Sequence, residues 1–237
     1  MIGNENTVQG DSNTMKGSQN KVAGSNNLLA GDRNALLGSN NAVGGSDNLL
    51  KGSNNTVLGD KNAILNGNQN QINGSMNLIK QGDNNVIEGS QNLVDGNGNK
   101  LKTNSSTIQG NLNEAIGNNL VIQGSSNQLS GNNSKIVGSQ NILIGNDNVV
   151  LGNKNQLAGS LNKIEGELNQ VGGESNVIKG QVNQVLGNKN EVQGNINKVL
   201  GDSNKVAGNE NKVAGNSNNI QGSINVVKGN ENKVQGN

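Results

Sequence analysis

The sequence contains no Phe, Trp or Tyr, no Pro, no Cys and no His in 237 residues. Each absence removes a class of answer. Without aromatics, the side chains that dominate ordinary burial are missing, so a conventional globular core is not on offer. Single-stranded nucleic acid has nothing to stack on. Without His and Cys, the usual general base, thiol nucleophile and zinc ligands are gone, and disulfides are excluded. The formal net charge is +1, so no overall field steers the chain toward nucleic acid or an acidic membrane surface. No apolar run approaches the length of a membrane-spanning helix. The carboxylates stand singly and out of register, unlike paired catalytic acids or a repeated calcium turn. No phosphate-loop motif occurs. The expectation is a non-enzyme with no cofactor, no metal, no nucleic-acid partner and no membrane insertion.

What remains is Gly, Asn and small aliphatics in a strict order. Low hydrophobicity without aromatics is also the composition of disorder, but order in the sequence argues the other way. From Gly3 the chain falls into heptads: "GNENTVQ", "GDSNTMK", "GSQNKVA" and so on to "GNENKVQ". Position 1 is Gly, except at Thr103. Position 4 is Asn, except at Ser106, Leu120 and Ser134. Position 6 is aliphatic or Met, except at Ala115. A coiled coil needs two apolar positions per heptad, and a Gly in every unit costs a helix roughly 1 kcal/mol each time. A short strand over positions 5 to 7, with position 6 inward, fits better. Gly and Asn then serve the turns, Asn through its amide and its tolerance of left-handed geometry.

The deviations set the number of units per coil. Ser106, Leu120 and Ser134 follow one another at intervals of two heptads. Apolar residues at position 3 (Leu168, Val182, Ile196, Ile224) and Gln at position 5 (Gln128, Gln156, Gln170, Gln184) recur at multiples of the same interval. The units lengthened by one residue, at 59–66 and 74–81, are separated by one ordinary unit. Two units per coil stack every set on one side. The reading is therefore an all-β, single-stranded β-solenoid, or β-roll, with two heptads per coil, stacked Asn ladders and a thin Val/Ile/Leu core. One Asn ladder is interrupted over Ser106, Leu120 and Ser134, either as drift or as a docking notch or bend. The repeat begins at Gly3 and runs to Gly236 and Asn237 without polar caps. Residues 1–237 thus read as one uncapped repeat domain whose open strand edges invite end-to-end pairing.

These units resemble the repeats of the grass ice recrystallisation inhibition proteins, Asn-x-Val-x-Gly with an occasional extra residue. The short form is seen in "NTVQG" (6–10), "NKVAG" (20–24) and "NTVLG" (55–59), the long form in "NAILNG" (62–67) and "NLIKQG" (77–82). The resemblance covers nearly the whole chain. It implies a left-handed β-roll, two repeats to the coil, that binds ice through one flat face. The head repeats of trimeric autotransporter adhesins are similar in pattern, more distantly. Here position 5 holds Thr at Thr7, Thr14, Thr56 and Thr107, and mostly Lys, Gln, Leu, Ala or Val elsewhere.

Sorting heptads alternately gives two outer faces. Face one, from the heptads at Gly3, Gly17 and onward, carries charge along most of its length, from Lys21 and Lys51 to Lys179, Glu191 and Lys205. Face two, from the heptads at Gly10, Gly24 and onward, has uncharged stretches. The candidate contact residues are Leu28, Ala30, Ala42, Thr56 and Leu58 in one stretch, and Ile142 and Ile144 in another. Contiguous exposed apolar surface marks an interaction site. Two functions stand side by side: an ice-binding, antifreeze-type protein whose partner is the ice surface, and a structural or adhesive rod. The second would self-assemble end to end or dock a protein partner. Either use would place the protein outside the cell, but "MIGNENTVQG" carries no signal segment, so the location stays open between an intracellular protein and one whose export signal is not in this chain.

Overall fold

A computed structural model describes residues 1–236; Asn237, included in the expected repeat domain, lies outside the described residues. The chain divides into two compact units, Met1–Ile122 and Gln123–Asn237. Both are all-β. Among the described residues there is no helix, and short strands recur in every heptad. They occupy positions 5 to 7 as the pattern requires, for example Thr14–Lys16 and Gln156–Ala158.

Each unit is a parallel β-solenoid of two sheets. Face-one strands pair with the face-one strands of the next coil, Thr7 with Lys21 and Val8 with Val22. Face-two strands do the same, Gln156 with Gln170 and Leu157 with Val171. The two long heptads lengthen the step by a single residue, pairing Gln71 with Thr56 and Leu78 with Ala63. One of them is absorbed as a register shift between Ile79 and Gln81 against the strand Leu93–Asp95.

Alternation turns position 6 inward. Met15, Leu29, Leu50, Val94, Leu143, Ile164 and Val206 are all buried. The aliphatic layer between the sheets is thin, so burial alone cannot account for order. Asn supplies the rest. Asn34 typifies the ladder: its N–H and its Nδ2 both donate to Asn20 Oδ1 in the preceding coil, at 2.9 and 3.1 Å. Its Nδ2 also donates to Gly45 O at 2.8 Å. Every coil hands these bonds to the next, and among the described residues no buried side-chain nitrogen or oxygen lacks a partner. A buried amide left unpaired would cost about 1–3 kcal/mol, so the Asn slot admits few substitutes.

Two further features complete the coil. The position 1 Gly, except at Gly67, has positive φ, +138° at Gly166, and a Cβ there would run into the carbonyl of Gly180 in the next coil. Position 2 forms an outer ladder, in which its N–H donates to the side-chain oxygen one coil ahead. Ser18 N–H reaches Asp32 Oδ1 at 2.7 Å and Ser25 N–H reaches Ser39 Oγ at 3.0 Å. The left-handed residue is not the Asn, as the sequence suggested. It is position 3, with φ near +58° at Glu5, Leu168 and Ser175. This conformation lets the position 3 N–H reach the position 2 carbonyl of the preceding coil, as from Gln19 to Asn4 O at 3.0 Å.

Leu120 forms no notch. It is fully buried, so it adds an aliphatic group where Asn normally stands. Its N–H donates to Ser106 Oγ at 3.0 Å, the hydroxyl replacing the missing amide oxygen. Ser134 Oγ does the same for Asn148 N–H at 3.1 Å. The boundary between the two units falls just after Leu120.

Candidate functional site

With positions 1, 4 and 6 committed to the coil, chemistry is left to the outward positions 3, 5 and 7. In Met1–Ile122, strand register brings five of the expected residues together on face two. Leu28 pairs with Ala42 and Ala42 with Thr56; Ala30 pairs with Gly44 and Gly44 with Leu58. Leu28 and Leu58 are more than half exposed, and Ala30 and Thr56 are exposed, while Ala42 is half-buried. The bare Gly44 lets Leu58 lean back over it, since a Cβ there would sit 3.1 Å from Leu58 Cδ2. Farther along this face the patch gives way to charge, with Lys102 Nζ 3.5 Å from Glu88 Oε2.

In Gln123–Asn237, Ile142 and Ile144 lie within a longer uncharged patch, next to Gln128 and Ser130. From Ile142 a row runs on through Gln156, Gln170 and Gln184. Gln184 Nε2 donates to Gln170 Oε1 at 3.0 Å, so this row is itself hydrogen-bonded. From Ile144 a row runs on through Ala158, Gly172 and Leu186. The Gly–Leu pairing recurs here: a Cβ on Gly172 would sit 2.9 Å from Leu186 Cδ2. No charged residue occupies a strand position of face two from Gln128 to Leu186.

Face one of the same unit differs. Lys163 Nζ lies 2.9 Å from Glu165 Oε1, and Lys205 Nζ lies 3.2 Å from Glu191 Oε2. The hydrogen bond from Lys163 holds the Glu165 carboxyl below its usual range, against an opposing effect of burial. At a face-one corner of the first unit, Arg33 grips Asp47 with two bonds of 2.7 and 2.8 Å and lowers that carboxyl likewise. Such exposed pairs contribute little to stability.

One further row of exposed aliphatics borders face two. Leu168, Val182, Ile196 and Ile224, which the sequence used only to find the coil period, sit at the left-handed position 3 beside face two. All four are exposed, Val182 at 47% being the least so. Left-handed backbone costs an L-residue about 1 kcal/mol or more, most for a β-branched side chain. The signal was there in the residue types, but it is legible only once position 3 is known to be left-handed.

Comparison with known proteins adds one result. Among curated proteins none matches the chain. A family model described as grass antifreeze beta roll matches residues 1–64, 51–138 and 98–180. Taken together these matches run from residue 1 to residue 180, and the chain belongs to the grass antifreeze beta-roll family.

Proposed function

We propose that this protein is a non-catalytic ice-binding protein that restrains ice recrystallisation, and that the outward side of face two makes the contact. The observation that carries the reading is the pair of uncharged, register-aligned patches on face two, in a chain whose family is an antifreeze β-roll. Parallel pairing repeats each outward row at about 4.8 Å. A surface fixed by continuous ladders meets a crystal plane without losing conformational entropy on contact, so individually weak contacts add. Charged groups would hold their own hydration shells and disturb the ordered water that joins protein to ice. An adsorbed protein then pins the crystal front, because ice between anchored molecules must grow with a curved and less stable surface.

The experiment is a recrystallisation assay, with grain size in frozen sucrose followed just below melting against an equal mass of albumin. Suppressed coarsening by the parent is expected. Ala42→Lys with Thr56→Lys, and separately Gln156→Lys with Ala158→Lys, should weaken it without lowering thermal stability. Ordinary coarsening with the parent would sink the reading. A second reading, a structural or adhesive rod that docks protein, draws on exposed Leu37 and Leu49 on face one. It predicts stable oligomers by light scattering at micromolar concentration, where the ice-binding reading expects monomer.

A further inference from the structure

The row at position 3 has a cost without a return inside the chain. Among the described residues with left-handed backbone, the β-branched ones are Val182, Ile196 and Ile224, and all three stand in the face-two corner of Gln123–Asn237. The face-one corner of that unit uses Asn, Asp, Ser, Lys or Glu at this position, with Leu161 as the exception. Asn and Asp suit this backbone, aliphatic residues do not. Nor does burial compensate, because Leu168, Val182 and Ile196 are 51%, 47% and 55% exposed. The side chains nonetheless share one shallow cleft with Gln170 and Gln184 of the adjacent strand row, and Lys198 and Lys212 of that row line its far end. Gln170 also lines the next cleft along, with Ile144 and Ala158. The corner row is therefore continuous with the outward rows of face two.

We propose that Leu168, Val182 and Ile196 form a third ice-contacting row, which makes the Gln123–Asn237 patch three rows wide and the principal ice-binding surface of the protein. This rests on the ice-binding reading above and adds to it where the contact is made and by which residues. The occupant is argued from size and periodicity. The uncharged strand rows run over five coils from Gln128 to Leu186, about 24 Å, and the corner row widens them to about 15 Å over the heptads at Gly166 and Gly180, with Lys154 and Lys198 at the two ends of that widening. That area is under half of the roughly 800 Å² per partner that stable protein interfaces bury, so a second copy is a poor fit. The three rows advance together at one coil per step, and a crystal plane repeats in the same manner. Leu168, Gln170, Val182 and Gln184 are aliphatic or amide, and the first charges met along these rows are Lys154 on one side and Lys198, beside Ile196, on the other.

The test uses the full chain with Leu168→Asn, Val182→Asn and Ile196→Asn combined, and Leu161→Asn as the control at the opposite corner. The triple variant relieves left-handed strain, so its Tm should equal or exceed that of the parent. Its ice activity should fall, with about tenfold or more protein needed for the same grain size, since one aliphatic contact of this kind is worth about that factor. The control should keep full activity, and Val182→Leu with Ile196→Leu, which retains the aliphatic row, should keep most of it. A triple variant as active as an active parent overturns the third row while leaving ice binding intact. A parent without activity overturns both. Loss of activity with a lowered Tm, or equal loss in the Leu161→Asn control, overturns a contact role for the row.

Discussion

Within Gln123–Asn237 the two faces share one heptad yet present different surfaces. Both bury an aliphatic at position 6 and stack Asn at position 4, as Ile164 and Asn162 do for face one and Val171 and Asn169 for face two. Outward, face one carries Lys163, Glu165, Lys179, Glu191 and Lys205, all of them in ion pairs. Face two carries amides, aliphatics and Ser130 from Gln128 to Leu186, and lysines only beyond that stretch, at Lys198, Lys212 and Lys228. The coil fixes what points in and leaves what points out free, so the contrast reports selection on the surface and not a demand of the fold. A substitution in the shared positions should harm both faces alike. A substitution in the outward positions should separate them.

The largest effect belongs to the corner Gly. Gly159→Ala and Gly166→Ala should each destabilise the protein by about 4 kcal/mol or more, the sum of positive-φ strain and an overpacked contact. In each case the added Cβ meets the carbonyl of Gly173 or Gly180, a backbone atom held in its own ladder. Denaturant unfolding of the two variants should give similar losses. A marked inequality would mean that the faces differ in their framework as well as their surface.

Next comes the ladder. Asn169→Leu should cost about 3 kcal/mol, because Asn183 N–H and Nδ2 lose their acceptor and Gly180 O loses a donor. Asn162→Leu on the other ladder should cost about the same. Leu120 shows the condition under which Leu is accepted in this slot. Its neighbour Ser106 has a short side chain with one hydroxyl, which accepts the Leu120 N–H and makes no amide demand. Asn169 has Asn155 and Asn183 as neighbours, whose amides are bonded to it. Thermal unfolding that left Asn169→Leu unchanged would mean the ladders are dispensable.

Those same residues show how much was legible in the sequence. Gly, Asn and the aliphatic position repeat because each touches its own kind one coil away, so the contacts of the fold are written as a period. The extra residues in 59–66 and 74–81 announced themselves as a lengthened step between coils. Position 3 stayed hidden because its left-handed backbone is imposed by the coil and leaves its side chain in solvent, so residues as different as Arg33, Met76 and Val182 stand there and no residue type marks it. Leu120 read as a gap in a ladder, since a lone aliphatic gives no sign of which way it points. The candidate residues were placed on the expected face, but the aliphatic corner row was invisible as part of that surface for the same reason that position 3 was.

A smaller effect on stability, and a larger one on activity, comes from charge on the strand rows. Gln184→Lys on face two and Gln193→Lys on face one are both exposed changes and should each shift stability by no more than about 0.5 kcal/mol. Recrystallisation inhibition should drop by about tenfold in the first, the worth of one desolvated contact, and hold steady in the second. Equal losses would show that the two faces contribute alike and that the contrast between them has no functional meaning.

The smallest effect is that of pH. Glu165 has its pKa lowered in the folded protein, first by the hydrogen bond from Lys163, so its contribution to stability is complete above its ordinary 4.5. That contribution is lost as the pH falls through the lowered value. Asp47, held by Arg33, behaves the same way below its ordinary 3.8. Both carboxylates are open to solvent, so the loss in Tm should be slight. Neither lies on face two, whose strand positions from Gln128 to Leu186 carry no titratable side chain. Ice activity should therefore stay level from about pH 7 to about pH 3, the span over which exposed carboxylates titrate, while Tm drifts down by a small amount. An activity that fell in step with carboxylate protonation would place the working contact on the charged face, since that is where protonation changes the surface.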